Sequence, residues 1–140
     1  MKRTILENET MTREYAKDLA GGLSGGEILA LVGDLGAGKT TFAKGVALGL
    51  GINEKITSPT FVYMKVYEVN HPTIKKFCHI DAYRLENEQK LIDIGALEYF
   101  SNPEVLTVIE WADKIKKILP KSSKLFNFSI KESTRIIETN

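Results

Sequence analysis

The chain has 140 residues, of which 43% are hydrophobic and 26% charged, so it is long enough to bury one core and does not have the composition of a disordered protein. Nineteen Lys and Arg residues against 18 Asp and Glu residues give a net charge of +1, which excludes the strongly basic class of nucleic-acid-binding domains. The single cysteine excludes an internal disulfide and a cysteine-built metal site. We therefore expect one cytoplasmic domain over residues 1–140, with no signal peptide and no membrane-spanning segment.

The first part of the chain predicts a strand, a helix and a second strand. Arg3–Leu6 has the composition of a short strand. Apolar residues over 11–20 recur at helical spacing, and Gly21 and Gly22 follow as a stop signal. Ile28–Val32 is a continuous apolar run between glycines, which is typical of a strand buried on both faces of a parallel sheet.

The middle of the chain adds a second helix, a hairpin and a further helical segment. Apolar spacing predicts a helix over residues 41–50. Residues 61–69 are rich in aromatic and β-branched side chains, and residues 74–80 follow after a turn, so the two runs predict a hairpin. Residues 86–100 predict a helix with a break at Gly95.

The C-terminal part predicts three strands and one short helix. Val105–Ile109 is an apolar strand, Ala112–Leu119 a short helix, and Leu125–Ile130 with Thr134–Glu138 a final strand pair. Strands and helices alternate through the middle of the sequence. That alternation predicts the α/β class, with antiparallel strands added to a parallel sheet.

One segment carries a strong chemical signal. Gly33–Thr40 satisfies the pattern G-x-x-x-x-G-K-[ST], and it lies between a predicted buried strand and a predicted helix. Glycines in such a loop let backbone N–H groups approach phosphate oxygens, and the helix N-terminus adds partial positive charge. Lys39 is expected to reach the β- and γ-phosphates and the Thr40 hydroxyl to bind Mg²⁺. The segment predicts a phosphate-binding P-loop.

A P-loop also needs an acidic residue on the metal side, usually at the end of a neighbouring apolar strand. Two residues have this placement. Glu110 follows the strand Val105–Ile109, and Asp81 follows Ile80 at the end of the predicted hairpin. Either carboxylate is suited to bind Mg²⁺ or to orient a water molecule, and the residue pattern alone leaves the choice between them open.

Three other features have more than one interpretation. Thr57–Thr60 follows the P-loop helix and is either a loop that senses the γ-phosphate or an ordinary polar turn. His79 and Asp81 alternate on one predicted strand and face the same side, but two ligands without a third make a poor metal site. Trp111 follows Glu110 and is either a core residue or part of the site.

Four segments together resemble the bacterial TsaE family, formerly called YjeE. They are Gly-Asp-Leu-Gly-Ala-Gly-Lys-Thr-Thr (33–41), Ser-Pro-Thr-Phe (58–61), His-Ile-Asp-Ala-Tyr-Arg-Leu (79–85) and Ile-Glu-Trp (109–111). The resemblance covers essentially the whole chain. It implies a P-loop NTPase fold with three α/β/α layers around a mixed, mainly parallel sheet.

The resemblance also implies roles for the site residues. It favours Thr40 and Glu110 as the Mg²⁺ ligands and gives Asp81 a catalytic or switch role. Asp81 and Glu110, together with the P-loop lysine, are then the expected catalytic residues. Trp111 becomes a site residue, and the contacts to the base fall near the first helix and the last strand pair. The residues expected to bind the nucleotide are Glu9, Leu35, Gly36, Ala37, Gly38, Lys39, Thr40, Thr41, Trp111 and Thr134.

The function that the resemblance implies is that of the ATPase subunit of the machinery that makes threonylcarbamoyladenosine in tRNA. Such a subunit works with TsaD and TsaB and meets tRNA through that complex. We expect ATP and Mg²⁺ as ligands, slow hydrolysis by the chain alone, and a monomer that docks transiently. A small-molecule kinase or a nucleotide-binding regulatory module without turnover would use the same P-loop. The sequence has no Asn-Lys-x-Asp segment, the usual guanine-reading element of GTPases, so adenine is favoured.

Overall fold

A computed structural model describes residues 1–140 as a seven-stranded sheet with helices on both faces. The strand order is β1-β7-β6-β2-β5-β4-β3. The strands are β1 (Lys2–Leu6), β2 (Ile28–Gly33), β3 (Met64–Glu68), β4 (Lys76–Asp81), β5 (Val105–Glu110), β6 (Lys124–Lys131) and β7 (Thr134–Thr139). The helices are α1 (Glu9–Ala20), α2 (Lys39–Gly49), α3 (Gln89–Asp93) and α4 (Ala96–Phe100), with a 3₁₀ helix at Ala112–Ile115.

The centre of the sheet is parallel and its edges are antiparallel. Strands β6, β2, β5 and β4 run in the same direction, and β7 and β3 are added antiparallel to them. Strand β1 pairs antiparallel with β7 and therefore runs in the direction of the central strands. Strand β5 is buried along its whole length, as is the first part of β2, which explains their continuous apolar sequences. The predicted α/β class with antiparallel additions is confirmed.

Two apolar layers cover the two faces of the sheet. Helices α1 and α2 pack on one face, where the ring of Phe42 lies 5.1 Å from Phe126 and 5.5 Å from Phe128, measured between centroids. The short helices α3 and α4 and the 3₁₀ helix cover the other face, where Leu91 and Ile115 are fully buried. None of the helices has the length and apolar content needed to cross a bilayer.

Three predicted elements differ from the structure. The strand predicted over 61–69 begins only at Met64, because a turn in which the N–H of Tyr63 donates to the carbonyl of Pro59 occupies the preceding residues. The helical segment predicted over 86–100 begins only at Gln89, while its predicted break at Gly95 is confirmed, because no continuous helix allows the φ of +89° at that residue. The helix predicted over 112–119 is a single 3₁₀ helix of four residues.

The parallel strands bring their carboxyl ends to one edge of the sheet. Strand β2 ends at Gly33 and runs into the P-loop, β5 ends at Glu110, and β4 ends at Asp81. Asp81 and Glu110 are direct partners in the β4–β5 register. Residues from three distant parts of the sequence therefore meet where parallel α/β sheets commonly bind ligands.

Replacing Gly33 by alanine is expected to lower the free energy of unfolding by about 3 kcal/mol or more. At its φ of +124°, a Cβ would lie 1.9 Å from the carbonyl oxygen of Phe128 on β6. Gly36→Ala is the matched control, since Gly36 also has a positive φ of +77° but nothing lies within 4 Å of the added Cβ. We expect that variant to lose about 1–2 kcal/mol in urea unfolding. Equal losses for both variants would contradict the close β2–β6 approach.

Candidate functional site

A cavity of about 330 Å³ opens at the carboxyl edge of the parallel strands. The P-loop forms its floor, and residues from α1, from the 58–60 loop, and from the ends of β4 and β5 form its walls. All the predicted site residues line it except Ala37 and Thr134. Those that line it are Glu9, Leu35, Gly36, Gly38, Lys39, Thr40, Thr41, Asp81, Glu110 and Trp111.

Lys39 places a buried cation at the floor of the cavity. The residue is only 5% exposed. Its Nζ donates to the carbonyl oxygens of Gly33 at 2.9 Å and Asp34 at 2.6 Å. Burial lowers the pKa of Lys39, while the nearby carboxylates of Glu110 and Asp34 act in the opposite direction. A buried ammonium held by the loop carbonyls is ready to pair with an anion that enters the cavity.

Thr40 and Glu110 form a hydrogen-bonded pair beside that lysine. The Thr40 hydroxyl donates to Oε1 of Glu110 at 2.7 Å, although the two residues are 70 positions apart. The other carboxylate oxygen, Oε2, accepts from Nε2 of His79 at 2.6 Å. Glu110 is only 2% exposed, and these two hydrogen bonds give each of its buried carboxylate oxygens a donor from the protein.

Asp81 joins the 58–60 loop to the site. Its Oδ2 accepts from the hydroxyls of Ser58 at 2.9 Å and Thr60 at 3.0 Å, and its Oδ1 accepts from the backbone N–H of Tyr83 at 3.0 Å. The predicted polar loop is therefore fixed against the cavity by this buried carboxylate. Asp81 and Glu110, the two carboxylates that the residue pattern left open as the metal-side acid, therefore lie at the same site and have different hydrogen-bond partners.

Trp111 is part of the cavity wall. It has a left-handed backbone conformation with a φ of +60°, which turns the chain sharply at the end of β5. Its ring lies 4.1 Å from Nζ of Lys39 and 5.0 Å from the ring of Tyr83. The contact with the lysine is a cation–π interaction, and it places the indole at the site and not only in the apolar layer.

The two predicted residues outside the cavity have clear reasons to be there. Ala37 is buried in the apolar layer beneath the P-loop. Thr134 lies on β7, where successive side chains point to opposite faces, and the following residue, Arg135, lines the cavity in its place. Arg84, which lies in the segment 79–85, packs 5.0 Å from the ring of Phe61 and does not line the cavity.

Thr12 and Tyr83 line the cavity although no motif singled out either as a ligand-binding residue. Thr12 belongs to the buried face of α1, and its methyl group lies opposite Gly38, 3.5 Å from where a Cβ would be. Its sequence position shows only a polar residue within a helix. Tyr83 stands inside the segment 79–85, and its position two residues after Asp81 is the signal that could have found it.

The residues present fit a magnesium-bound phosphate ligand better than a metal held by protein alone. Glu110 and Thr40 offer a carboxylate and a hydroxyl oxygen side by side, and no group of three or more His, Cys, Asp or Glu side chains is placed to hold a metal ion. Mg²⁺ typically takes one or two protein oxygens and completes its shell with phosphate and water. His79 and Asp81 do not form a metal pair, because the imidazole contacts Glu110.

Comparison with known proteins gives the same family from sequence and from structure. The family model described as "Threonylcarbamoyl adenosine biosynthesis protein TsaE" matches residues 6–137. The tRNA threonylcarbamoyladenosine biosynthesis protein TsaE of Bacillus subtilis is 43% identical over 119 residues, which is 85% of this chain and 70% of that protein. The Borreliella burgdorferi protein of the same name is 41% identical over 82% of both chains. The crystal structure of Bacillus subtilis YdiB superposes with a TM-score of 0.77 at 32% identity, covering 99% of this chain and 83% of that one.

Lys39→Met is expected to weaken the binding of inorganic tripolyphosphate by about 10- to 100-fold, because one charge-assisted hydrogen bond to the anion is lost. Tripolyphosphate tests the phosphate site without assuming a base. Lys44→Met is the control, since Lys44 is an exposed lysine on the same helix. Isothermal titration calorimetry gives the affinities. If Lys39→Met and Lys44→Met both bind as the unmodified chain does, the phosphate site is misplaced.

Proposed function

We propose that this chain, which belongs to the TsaE family, binds and hydrolyses ATP in the presence of Mg²⁺ as part of threonylcarbamoyladenosine formation in tRNA. The observation that carries the proposal is the buried lysine of the P-loop, Lys39, beside the Thr40–Glu110 pair in one cavity. Family membership supports the place in tRNA modification, and the P-loop supports nucleotide chemistry. We further propose that residues 1–140 act as one ATPase domain.

The phosphate end of the cavity is suited to a nucleoside triphosphate. The P-loop leads directly into α2, an eleven-residue helix whose first residue is Lys39. Backbone N–H groups at a helix N-terminus and a lysine ammonium both favour negative charge at the same place. We assign Leu35–Thr41 to the phosphate chain of the nucleotide, with Ala37 contributing through its backbone.

Thr40 and Glu110 are the residues that would hold Mg²⁺. When bound, the ion would neutralise the charge that develops on the phosphate oxygens during transfer. The protein's part is to keep the Glu110 carboxylate and the Thr40 hydroxyl together, which their 2.7 Å hydrogen bond does in advance. Because both side chains are already in place, a magnesium nucleotide needs no large rearrangement at this point.

Asp81 is the residue that we propose acts on the attacking water. It lies at the end of β4, directly beside Glu110, and each of its oxygens already accepts hydrogen bonds. A carboxylate that holds Ser58 and Thr60 is able to exchange one of these hydroxyls for a water molecule when the loop moves. Asp81 would then orient that water for attack on the terminal phosphate.

The other end of the cavity is suited to the nucleoside. The hydroxyl of Thr41 donates to Oε1 of Glu9 at 3.4 Å, and Arg135 lies on the same wall. We propose that these residues face the ribose and the adenine base, with Thr134 acting only through its neighbour Arg135. Arg135 is also the arginine of this chain that lines the cavity, whereas Arg84 does not.

We propose that TsaD and TsaB are the partners of this chain and that they change its turnover. Phe61 is 80% exposed and Val62 is 54% exposed, and both follow directly on the loop that Asp81 holds. Two large apolar side chains exposed side by side are suited to contact with another protein. A partner that covers them would act on Asp81 through the same loop. Contact with tRNA is then made through the complex.

The chain alone is expected to release inorganic phosphate from ATP slowly, and addition of TsaB and TsaD is expected to change that rate several-fold. Phosphate release is measured with Mg²⁺, with EDTA, and with each partner alone. A Lys39→Met chain is the control for contaminating ATPases, since it should release none under any of these conditions.

The outcome of the same experiment separates the alternatives. Labelled phosphate that appears on an acceptor molecule, with little free phosphate, would identify a kinase. ATP that stays bound and intact with both partners present would identify a regulatory module. Fast hydrolysis that the partners leave unchanged would contradict a partner-dependent ATPase.

A further inference from the structure

We propose that His79 is a positioning residue, which holds the Glu110 carboxylate in the orientation that Mg²⁺ binding requires. The proposal rests on the function proposed above and assigns part of this chain's metal affinity to a residue that does not itself touch the metal. Three features of the imidazole ring support this role: its single hydrogen-bond partner, its fixed position and its unpaired second nitrogen.

Glu110 is the one hydrogen-bond partner of the His79 side chain. Nε2–H of His79 donates to Oε2 of Glu110 at 2.6 Å, while the Thr40 hydroxyl donates to Oε1 at 2.7 Å. The two donors approach different oxygens of the same carboxylate. The carboxylate plane is therefore fixed from both sides, and the oxygen shared with Thr40 stays on the cavity side.

The imidazole ring is itself held in place. His79 is fully buried on β4, and its ring stacks on that of Phe77, with centroids 6.0 Å apart and planes 21° from parallel. Strand β4 lies beside β5 in parallel register, with His79 opposite Val108. The donor that fixes Glu110 is thus part of the rigid central sheet and not of a loop.

The second ring nitrogen indicates that packing alone does not explain a histidine at position 79. Nδ1 of His79 is buried and has no hydrogen-bond partner. A buried nitrogen without a partner is unfavourable, so an apolar residue would suit this position better if packing alone decided it. What His79 supplies and an apolar residue lacks is the hydrogen bond to Glu110.

Loss of that hydrogen bond should weaken Mg²⁺ binding and leave the contacts to the phosphates unchanged. Without Nε2–H, Oε2 of Glu110 would be a buried carboxylate oxygen without a donor, and the group would turn to find another. Lys39 and the P-loop contact neither His79 nor Oε2 through hydrogen bonds. Nucleotide binding without magnesium should therefore stay as it is.

The experiment compares three substitutions of His79 by titrating a fluorescent ADP analogue in EDTA and at increasing Mg²⁺. His79→Leu and His79→Asn should raise the Mg²⁺ concentration for half-maximal enhancement by about 10- to 100-fold, because Leu has no donor and the Asn amide lies nearer the position of Nδ1. His79→Gln, whose amide nitrogen extends to the position of Nε2, should restore most of the enhancement. Affinity in EDTA should stay within about twofold for every folded variant.

Thr107→Val is the matched control. Thr107 is a fully buried polar residue on β5. Its side chain points to the face of the sheet opposite to that of its neighbour Val108, and so away from Glu110. It should behave like the unmodified chain, which separates the loss of Glu110's partner from the loss of any buried polar group. If His79→Leu does not fold, the comparison between His79→Asn and His79→Gln gives the answer.

Three results would overturn the proposal. The first is an unchanged Mg²⁺ dependence in His79→Asn, the second is an equal loss of affinity in EDTA, and the third is a His79→Gln variant no better than His79→Asn. A chain with native His79 that binds ADP only as well with Mg²⁺ as without it would overturn the metal assignment itself. Normal Mg²⁺ enhancement in that chain, with no effect of His79, would leave the proposed function standing and remove His79 alone.

Discussion

The carboxylate of Glu110 is where three distant parts of the chain meet. One oxygen accepts the hydroxyl hydrogen of Thr40 at the start of α2, and the other accepts the N–H of His79 on β4. The carboxylate is buried, and an unpaired buried carboxylate is strongly unfavourable. Its stability in this position therefore depends on both donors. One side chain thus fixes the P-loop, β4 and β5 relative to each other, and a ligand that binds the P-loop meets a carboxylate already in place.

The sheet makes this arrangement possible. Strands β2, β5 and β4 are neighbours and run parallel, so the P-loop, Glu110 and Asp81 come together at the same edge. The two carboxylates differ in their hydrogen-bond partners. Glu110 contacts the P-loop through Thr40, whereas Asp81 contacts the 58–60 loop through Ser58 and Thr60. The first contact suits a metal, and the second suits a conformational response to the ligand.

The sequence predicted the parts of this site that are local and missed those that depend on distant pairing. The P-loop was evident because consecutive residues 33–40 carry it, and its flanking strand and helix have clear apolar patterns. Residue patterns could not choose between Asp81 and Glu110, since the choice depends on which of them Thr40 reaches. The strand predicted at 61–63 is a turn, because the hydrogen bonds of that loop outweigh the β-propensity of its aromatic residues. Arg135 replaces Thr134 at the cavity through the alternation of β7, a one-residue difference that spacing alone could not fix.

We propose that the Thr40–Glu110 pair makes this cavity a magnesium nucleotide site that serves tRNA modification. The most direct test measures threonylcarbamoyladenosine formed in a reaction of tRNA, an activated threonylcarbamoyl donor, ATP, Mg²⁺, TsaB and TsaD, to which either the unmodified chain or Glu110→Gln is added. Glutamine keeps the size of the side chain and removes its charge. We expect repeated rounds of modification with the unmodified chain, and with Glu110→Gln no more product than with the chain left out. Equal product from both chains would contradict it.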